Sequence, residues 1–138
     1  MKAQYLTVEY VIFFAIGVLM IISIYYIFSN LNKIFEKSVI ENQLMMVGEL
    51  LRGVIVNTFE ISNSTNTTIY YNLTIPPRLS NYNYWIKVED NSLKLNCSDV
   101  PIGITLSLYN FNTTTKNIIY STKNLVEILV RNGKVELK

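Results

Sequence analysis

The sequence predicts an α+β protein: a long N-terminal α-helix, with a membrane-spanning half and an amphipathic half, followed by a small antiparallel β-sandwich or β-sheet. Two observations predict this fold class. Residues 5–60 carry apolar side chains at helical spacing and include an uncharged run at 10–29. Beyond about residue 62 the apolar residues alternate, which is the period of β-strands. We therefore expect a short leader at 1–4, the helix at 5–60 and a β domain at 61–138.

The uncharged run at residues 10–29 is long enough to cross a membrane. About twenty helical residues cover the roughly 30 Å of hydrocarbon in a bilayer, and only a helix satisfies all of its backbone groups inside lipid. A cleaved secretory signal would have a shorter apolar core, several basic residues before it and a small-residue cleavage site after it. The segment MKAQYLTVEY and its long apolar continuation fit that pattern poorly, so we expect a membrane span at about 10–30.

Apolar side chains continue along the helix beyond the span. Residues 30–62 contain no proline and keep apolar residues at steps of three to five, which places them on one side of a helix. The members of this apolar stripe are Leu31, Ile34, Phe35, Ile40, Leu44, Val47, Leu51, Val54 and Ile55. Such a stripe must be covered, either by the chain's own β domain or by the helices of neighbouring copies. A mere tether is more often polar or rich in glycine and serine, so the stripe favours a helix that packs.

One acidic side chain, Glu9, immediately precedes the uncharged run. A carboxylate at the centre of a membrane helix costs on the order of 3 kcal/mol, and less near the interface. We therefore expect Glu9 either to be solvated at headgroup depth or to pair with a positive group on another subunit, most simply a free N-terminal amine.

Residues 1–60 resemble the type IV pilin-like superfamily, especially the archaeal pilins and archaellins. The features that carry the resemblance are a very short basic leader, as in a class III signal peptide, an uncharged helix and Glu9 at its start. In that family a prepilin peptidase removes the leader, and a glutamate at the fifth mature position pairs with the N-terminal amine of a neighbour during assembly. The resemblance thus implies subunit contacts at Glu9.

Two features of the family place the cleaved bond differently. If Tyr5 is the first mature residue, Thr7 is third and Glu9 fifth, which resembles the Ser/Thr and Glu spacing of archaeal members. Cleavage after Ala3 instead resembles the family's preference for glycine or alanine before the bond, and makes Gln4 first and Glu9 sixth. Both bonds, and an uncleaved start, stay open.

The β domain is predicted to contain about six strands. Residues 67–75 alternate between apolar and polar side chains, which predicts a strand. Pro76-Pro77 ends this strand, because proline has no backbone N–H to donate to a strand ladder. Residues 81–97 predict a hairpin that turns at 89–92, and residues 102–108 and 117–121 add further strands. The last hairpin turns at Asn132-Gly133, which tolerate positive φ angles.

Two residue types in the β domain bear on its chemistry. A single cysteine, Cys97, cannot form an intramolecular disulfide, so the domain depends on its own core. We interpret Trp85 and the tyrosines as core or surface residues rather than as a binding platform.

Five Asn-X-Ser/Thr tripeptides predict that the β domain is an extracytoplasmic glycoprotein domain. Their acceptor residues are Asn63, Asn66, Asn72, Asn96 and Asn112. Basic residues decide little about orientation, because Lys2 precedes the span while Lys33 and Lys37 follow it. We expect the chain in the cell membrane with its C-terminal domain outside, or in an extracellular filament.

The composition argues against enzymatic and nucleic-acid functions. The chain contains no histidine, the commonest general base and metal ligand. Neighbouring carboxylates occur only at Glu89-Asp90, on a predicted turn where acidic residues serve turn geometry. The net charge is only +2, and no basic stripe matches a run of phosphates. We expect no catalysis, no cofactor, no metal and no nucleic-acid partner.

Two hypotheses of function follow. The first is a structural pilin or pilin-like subunit whose helices bundle into the core of a cell-surface filament, with the β domain exposed. Its partners would be other copies or related subunits, membrane lipid before assembly, and the prepilin peptidase. The alternative is a monotopic accessory protein of a filament machine or cell envelope whose β domain binds a surface-layer or motor partner. A lipoprotein-like receptor would need a lipidation cysteine near the N-terminus, and the only cysteine is Cys97.

Overall fold

The computed structural model describes residues 2–89, 91–109, 112–114, 118–131 and 133–138, with the side chains of 2–5 and 112–114 left undescribed. The chain forms two compact units, Met1–Ser38 and Val39–Lys138. Unit 1 is helical throughout its described part, whereas unit 2 contains helix and all the described strands. The prediction of an α+β fold with a long N-terminal helix is confirmed.

Helix α1 spans Lys2–Thr65, which extends the predicted helix at both ends. Asn66 follows its last residue and has a φ of 50°, in the left-handed region that commonly terminates helices. Side-chain hydroxyls stabilise this end: Ser62 Oγ donates to the carbonyl of Thr67 at 2.6 Å, and Thr65 Oγ1 donates to that of Ile61 at 2.7 Å. The bond from Ser62 connects the last turn of the helix to the segment that follows it.

Eight strands lie in the described part of unit 2. They are β1 Ile69–Thr74, β2 Tyr84–Glu89, β3 Ser92–Cys97, β4 Gly103–Ser107, β5 Asn112–Thr114, β6 Ile119–Tyr120, β7 Leu125–Arg131 and β8 Lys134–Leu137. A short 3-10 helix at Ser121–Lys123 connects β6 to β7. One sheet has the strand order β1-β7-β8-β5 and the other β4-β3-β2-β6.

Strand alternation separates a buried face from an exposed face, as the sequence predicts. In β2, Tyr84, Ile86 and Val88 are buried while the residues between them are half-buried. The β2–β3 hairpin pairs Glu89 with Ser92 and contains Asn91 at a φ of 58°. The β7–β8 hairpin contains Gly133 at a φ of 71°. Both predicted hairpins are confirmed, although Asp90 and Asn132 lie outside the described residues.

The pairing of β5 with β8 differs from the all-antiparallel expectation. β5 is a short strand at Asn112–Thr114 and runs parallel to β8. The sequence does not predict a strand at these residues, because three polar residues show no alternation of apolar side chains. The neighbouring prediction at 117–121 corresponds to β6, and Asn117 lies outside the described residues.

A single hydrophobic core in unit 2 joins both sheets to the helix. The helix contributes the buried side chains of Ile40, Leu44, Val47, Leu51 and Ile55. At Gly48 the sheet approaches closely, since an added Cβ would lie 2.6 Å from Leu106 Cδ1. Val39–Lys138 is therefore one folding unit in which part of the helix serves as a core element.

Candidate assembly surfaces

The side chains of residues 10–29 in unit 1 form an apolar surface that surrounds the helix. The helix is long and apolar enough to cross a membrane, and its most apolar window has no buried share within the chain. Large side chains such as Phe14 and Tyr25 are about three-quarters exposed, at 75% and 76%. A helix that is apolar all round requires a cover of lipid or of other helices.

The residues predicted for leader cleavage and assembly lie at the start of this helix. Ala3, Gln4 and Tyr5 belong to the backbone of α1, but their side chains lie outside the described part of the chain. Thr7 and Glu9 are both exposed on the same helix. Pairing of Glu9 with a neighbouring amine thus stays a prediction, as does the position of the cleaved bond.

The predicted apolar stripe does not form one surface. Leu31, Ile34 and Phe35 in unit 1 are 40%, 63% and 64% exposed. In unit 2 the remaining members are covered by the chain's own sheets: Ile40, Leu44, Val47, Leu51 and Ile55 are buried, and Val54 is partly buried. Of the two alternatives for covering the stripe, the β domain provides the cover from Ile40 onward. Those residues cannot contact neighbouring copies in the folded chain.

A second apolar surface, not predicted from the sequence, lies on unit 2's part of the helix. We call it the outer helix face, and it consists of Val39, Met46, Leu50 and Gly53. Met46 is 73% and Leu50 is 49% exposed, and an added Cβ on Gly53 would meet no described atom within 4 Å. At 100° per residue these four positions fall within a sector of about 60°, and the buried Leu51 lies roughly 100–160° away from them around the helix. Successive members are separated by seven, four and three residues, and this helical spacing could have predicted the face from the sequence.

A charged pair borders the outer helix face. Arg52 donates to Glu49 across one helical turn, with 2.6 Å between Nη2 and Oε2. Both side chains are partly exposed, so the pair contributes little to stability. It does give the face a polar margin, which is the arrangement of a surface that contacts another protein.

The five glycosylation candidates occupy different environments. Asn63 is exposed on the last turn of α1, and Asn66 is exposed at the left-handed position that follows it. Asn72 is exposed on the edge strand β1. Asn96 is half-buried on β3, an interior strand. The side chain of Asn112 lies outside the described part of the chain.

The remaining chemistry-bearing groups of unit 2 are dispersed. Within the described residues, no cluster of three His, Cys, Asp or Glu side chains could hold a metal ion. Cys97 is buried, and this burial raises the pKa of its thiol, with the charge of Asp99 adding to the effect. The carboxylate of Glu89 accepts from Lys94 Nζ and pairs with Lys87 Nζ, both at 3.1 Å, and these contacts hold its pKa below the usual range.

Comparison of this chain with protein-family models, with curated proteins and with solved structures found no match.

Proposed function

We propose that this chain is a structural, pilin-like subunit of a cell-surface filament, anchored in the membrane by unit 1 before assembly, with the β domain outside the cell. The observation that carries the proposal is the outer helix face. Lipid can cover the helix of unit 1, but the predicted span ends at about residue 30, before Val39. An apolar surface that is covered by neither lipid nor its own domain favours contact with other copies of the chain.

Several features of the helix support packing between copies. Residues 10–29 of unit 1 present apolar side chains on all sides, so they can exchange lipid contacts for contacts with several neighbouring helices. Gly53 lets another helix approach closely, because it has no side chain beyond the backbone. Glu9, as in the family that residues 1–60 resemble, would set the register by pairing with a neighbour's N-terminal amine.

A monotopic accessory protein, the alternative function, would not require an exposed apolar surface at Met46 and Leu50. An anchor needs an apolar helix inside the membrane, but it does not need an apolar surface at Met46 and Leu50. Substitution of these two residues therefore separates the two functions.

The test is a double variant of the full chain in its native cells, Met46→Gln with Leu50→Gln. Both side chains are exposed and both replacements are good helix formers, so the fold should be retained. We expect the variant to accumulate in the membrane fraction and to be lost from filaments sheared off the cell surface. Tyr70→Gln, which changes an exposed side chain on β1, is the matched control and should leave the sheared fraction unchanged.

Intact mass and N-terminal sequencing of the sheared material complete the test. A start at Gln4 or Tyr5 in that fraction would support leader removal and assembly. An intact Met1, found only in membranes, together with normal behaviour of the double variant, would favour the accessory anchor.

A further inference from the structure

Four residues form a row across the exposed face of one sheet. Tyr120, Trp85, Asn96 and Gly103 are successive partners in the registers of β6, β2, β3 and β4. Because Tyr84 and Ile86 face the core, strand alternation directs Trp85 outward. Tyr120 beside it is 51% exposed. The row thus begins with two outward aromatic side chains and continues with an amide and a glycine.

The amide of Asn96 lies above Gly103. A Cβ on Gly103 would come within 1.6 Å of Asn96 Oδ1, so the side chain occupies the space that any larger residue would fill. Trp85, Asn96, Gly103 and Thr105 line one open depression of about 350 Å³, together with Pro101 and Ile102. The depression is therefore open and more polar than apolar, with an aromatic ring among its lining side chains.

Asn96 is also the acceptor residue of an Asn-X-Ser tripeptide, Asn96-Cys97-Ser98. We propose that Asn96 carries an N-linked glycan and that the first sugar of this glycan packs on Trp85, in the depression beside Gly103. A sugar joined to Nδ2 starts inside the depression, because Asn96 is one of its lining residues. The apolar face of the sugar ring can pack on the indole of Trp85, and the sugar hydroxyls can form hydrogen bonds with the hydroxyl of Thr105.

The attachment itself is a balanced group transfer. The donor is a saccharide linked through phosphate to a lipid carrier. A bond forms between Asn96 Nδ2 and C1 of the sugar, the bond from C1 to the phosphate oxygen breaks, the lipid phosphate leaves and the amide nitrogen loses one proton. The inference rests on the extracytoplasmic placement within the proposed function, but not on filament assembly.

Other glycosylation candidates lack this arrangement within the described structure. Asn66 lies at the exposed turn after α1, and Asn72 lies on the outer edge of its sheet. Asn72 is paired with Glu127 on the neighbouring strand. Asn96, in contrast, is paired with Trp85 on one neighbouring strand and with Gly103 on the other. A glycan at Asn72 would extend into solvent, so removing it provides a matched comparison.

Trp85 is the only tryptophan in the chain, so its fluorescence reports on this depression alone. The full chain is purified from its native envelope in a detergent without a sugar headgroup, since such a headgroup would compete for the site. Peptide mass mapping measures glycan occupancy at each Asn, and acrylamide quenching measures access to Trp85. Ser98→Ala abolishes the acceptor tripeptide but leaves Asn96 in place, and Ser98→Thr preserves the tripeptide.

We expect sugar mass on Asn96 in the wild-type chain and in Ser98→Thr. In Ser98→Ala that mass should disappear and the quenching constant of Trp85 should rise by about twofold, because the ring loses its cover. Thr74→Ala, which removes the tripeptide at Asn72, should leave quenching unchanged. Glycans at Asn66 or Asn72 with a bare Asn96 would overturn the inference while leaving the extracytoplasmic placement intact. Equal quenching with and without the Asn96 glycan would overturn the packing on Trp85.

Discussion

Two buried hydroxyls hold the Pro76-Pro77 segment against β2. Tyr84 Oη donates to the carbonyl of Pro76 at 2.7 Å, and Ser121 Oγ donates to the carbonyl of Pro77 at 2.8 Å. Ser121 Oγ also accepts from the backbone N–H of Tyr84 at 3.1 Å. Burial raises the pKa of Tyr84 well above its usual value, so the phenol stays protonated as a donor. The carbonyls of both prolines therefore have hydrogen-bond partners where the chain leaves β1.

The contacts of the Glu89 carboxylate with Lys94 and Lys87 make a contribution to the stability of unit 2 that depends on pH. Its pKa is lowered first by the hydrogen bond from Lys94 and then by Lys87. A carboxyl with a depressed folded-state pKa stabilises the fold above the unfolded pKa, and this contribution is lost as the pH falls through the folded value. In Lys94→Gln we expect the pKa of Glu89 to move up toward its ordinary range, measured by NMR titration of the carboxyl carbon. Lys123→Gln serves as the control, and an unchanged pKa in Lys94→Gln would contradict the assigned cause.

The charge of Glu9 is expected to contribute to filament assembly. We expect Glu9→Ala to insert into the membrane normally but to reduce the sheared filament fraction by at least about tenfold, since a hydrogen bond to a charged group contributes about 1.5–3 kcal/mol. Glu9→Gln keeps the size of the side chain and removes its charge, so it should assemble as poorly as Glu9→Ala. Normal filament numbers in both variants would leave Glu9 with solvation at headgroup depth as its only role.

At the scale of elements, helix α1 has two different apolar sides within unit 2. Leu44 and Leu51 face the sheets, while Met46 and Leu50 are exposed. Two glycines lie on these opposite sides. Gly48 faces the methyl groups of Leu106, Ile104 and Leu95, whereas Gly53 faces open space. Replacing glycine by alanine therefore places the added methyl group against packed side chains at Gly48 and in open space at Gly53.

We expect Gly53→Ala to raise the free energy of unfolding of unit 2 by about 1 kcal/mol, the difference in helix propensity between the two residues. Gly48→Ala gains the same propensity but places its Cβ 2.6 Å from Leu106 Cδ1, and overpacking of this kind costs roughly 1–3 kcal/mol. We expect a net loss of about 1 kcal/mol there. Denaturant titration of the full chain in detergent, followed by Trp85 fluorescence, measures both. Equal stabilisation by the two variants would show that the sheet moves away from Gly48 without cost.

The hairpins were predictable from the sequence because alternation and turn residues agree locally. In β2 and β3 the alternating apolar residues, Tyr84 to Cys97, are the buried ones, and Asn91 and Gly133 adopt the positive φ angles of their turns. The parallel pairing of β5 with β8 joins distant residues and leaves no local pattern. The outer helix face was missed because residues 39–61 are apolar on more than one side, so helical periodicity alone did not indicate which side is buried.

At the scale of the whole molecule, the core and the apolar anchor belong to different compact units. Every buried hydrophobic side chain in the described structure lies at Ile40 or beyond, within Val39–Lys138. Unit 1 contributes exposed apolar surface that needs lipid or other subunits. The division at residue 38 therefore separates a part whose stability is internal from a part whose stability depends on its surroundings.

This division predicts that residues 39–138 fold without unit 1. We expect that fragment to be soluble without detergent, to show a circular dichroism spectrum with contributions from both helix and strands, and to unfold cooperatively, because it retains the complete core. Its outer helix face stays exposed, so we also expect weak self-association at high concentration, detected by sedimentation velocity and reduced by Met46→Gln with Leu50→Gln. An aggregated or non-cooperative fragment would show that unit 2 depends on unit 1. A fragment that folds but stays monomeric at every concentration would remove the outer helix face as a contact between copies.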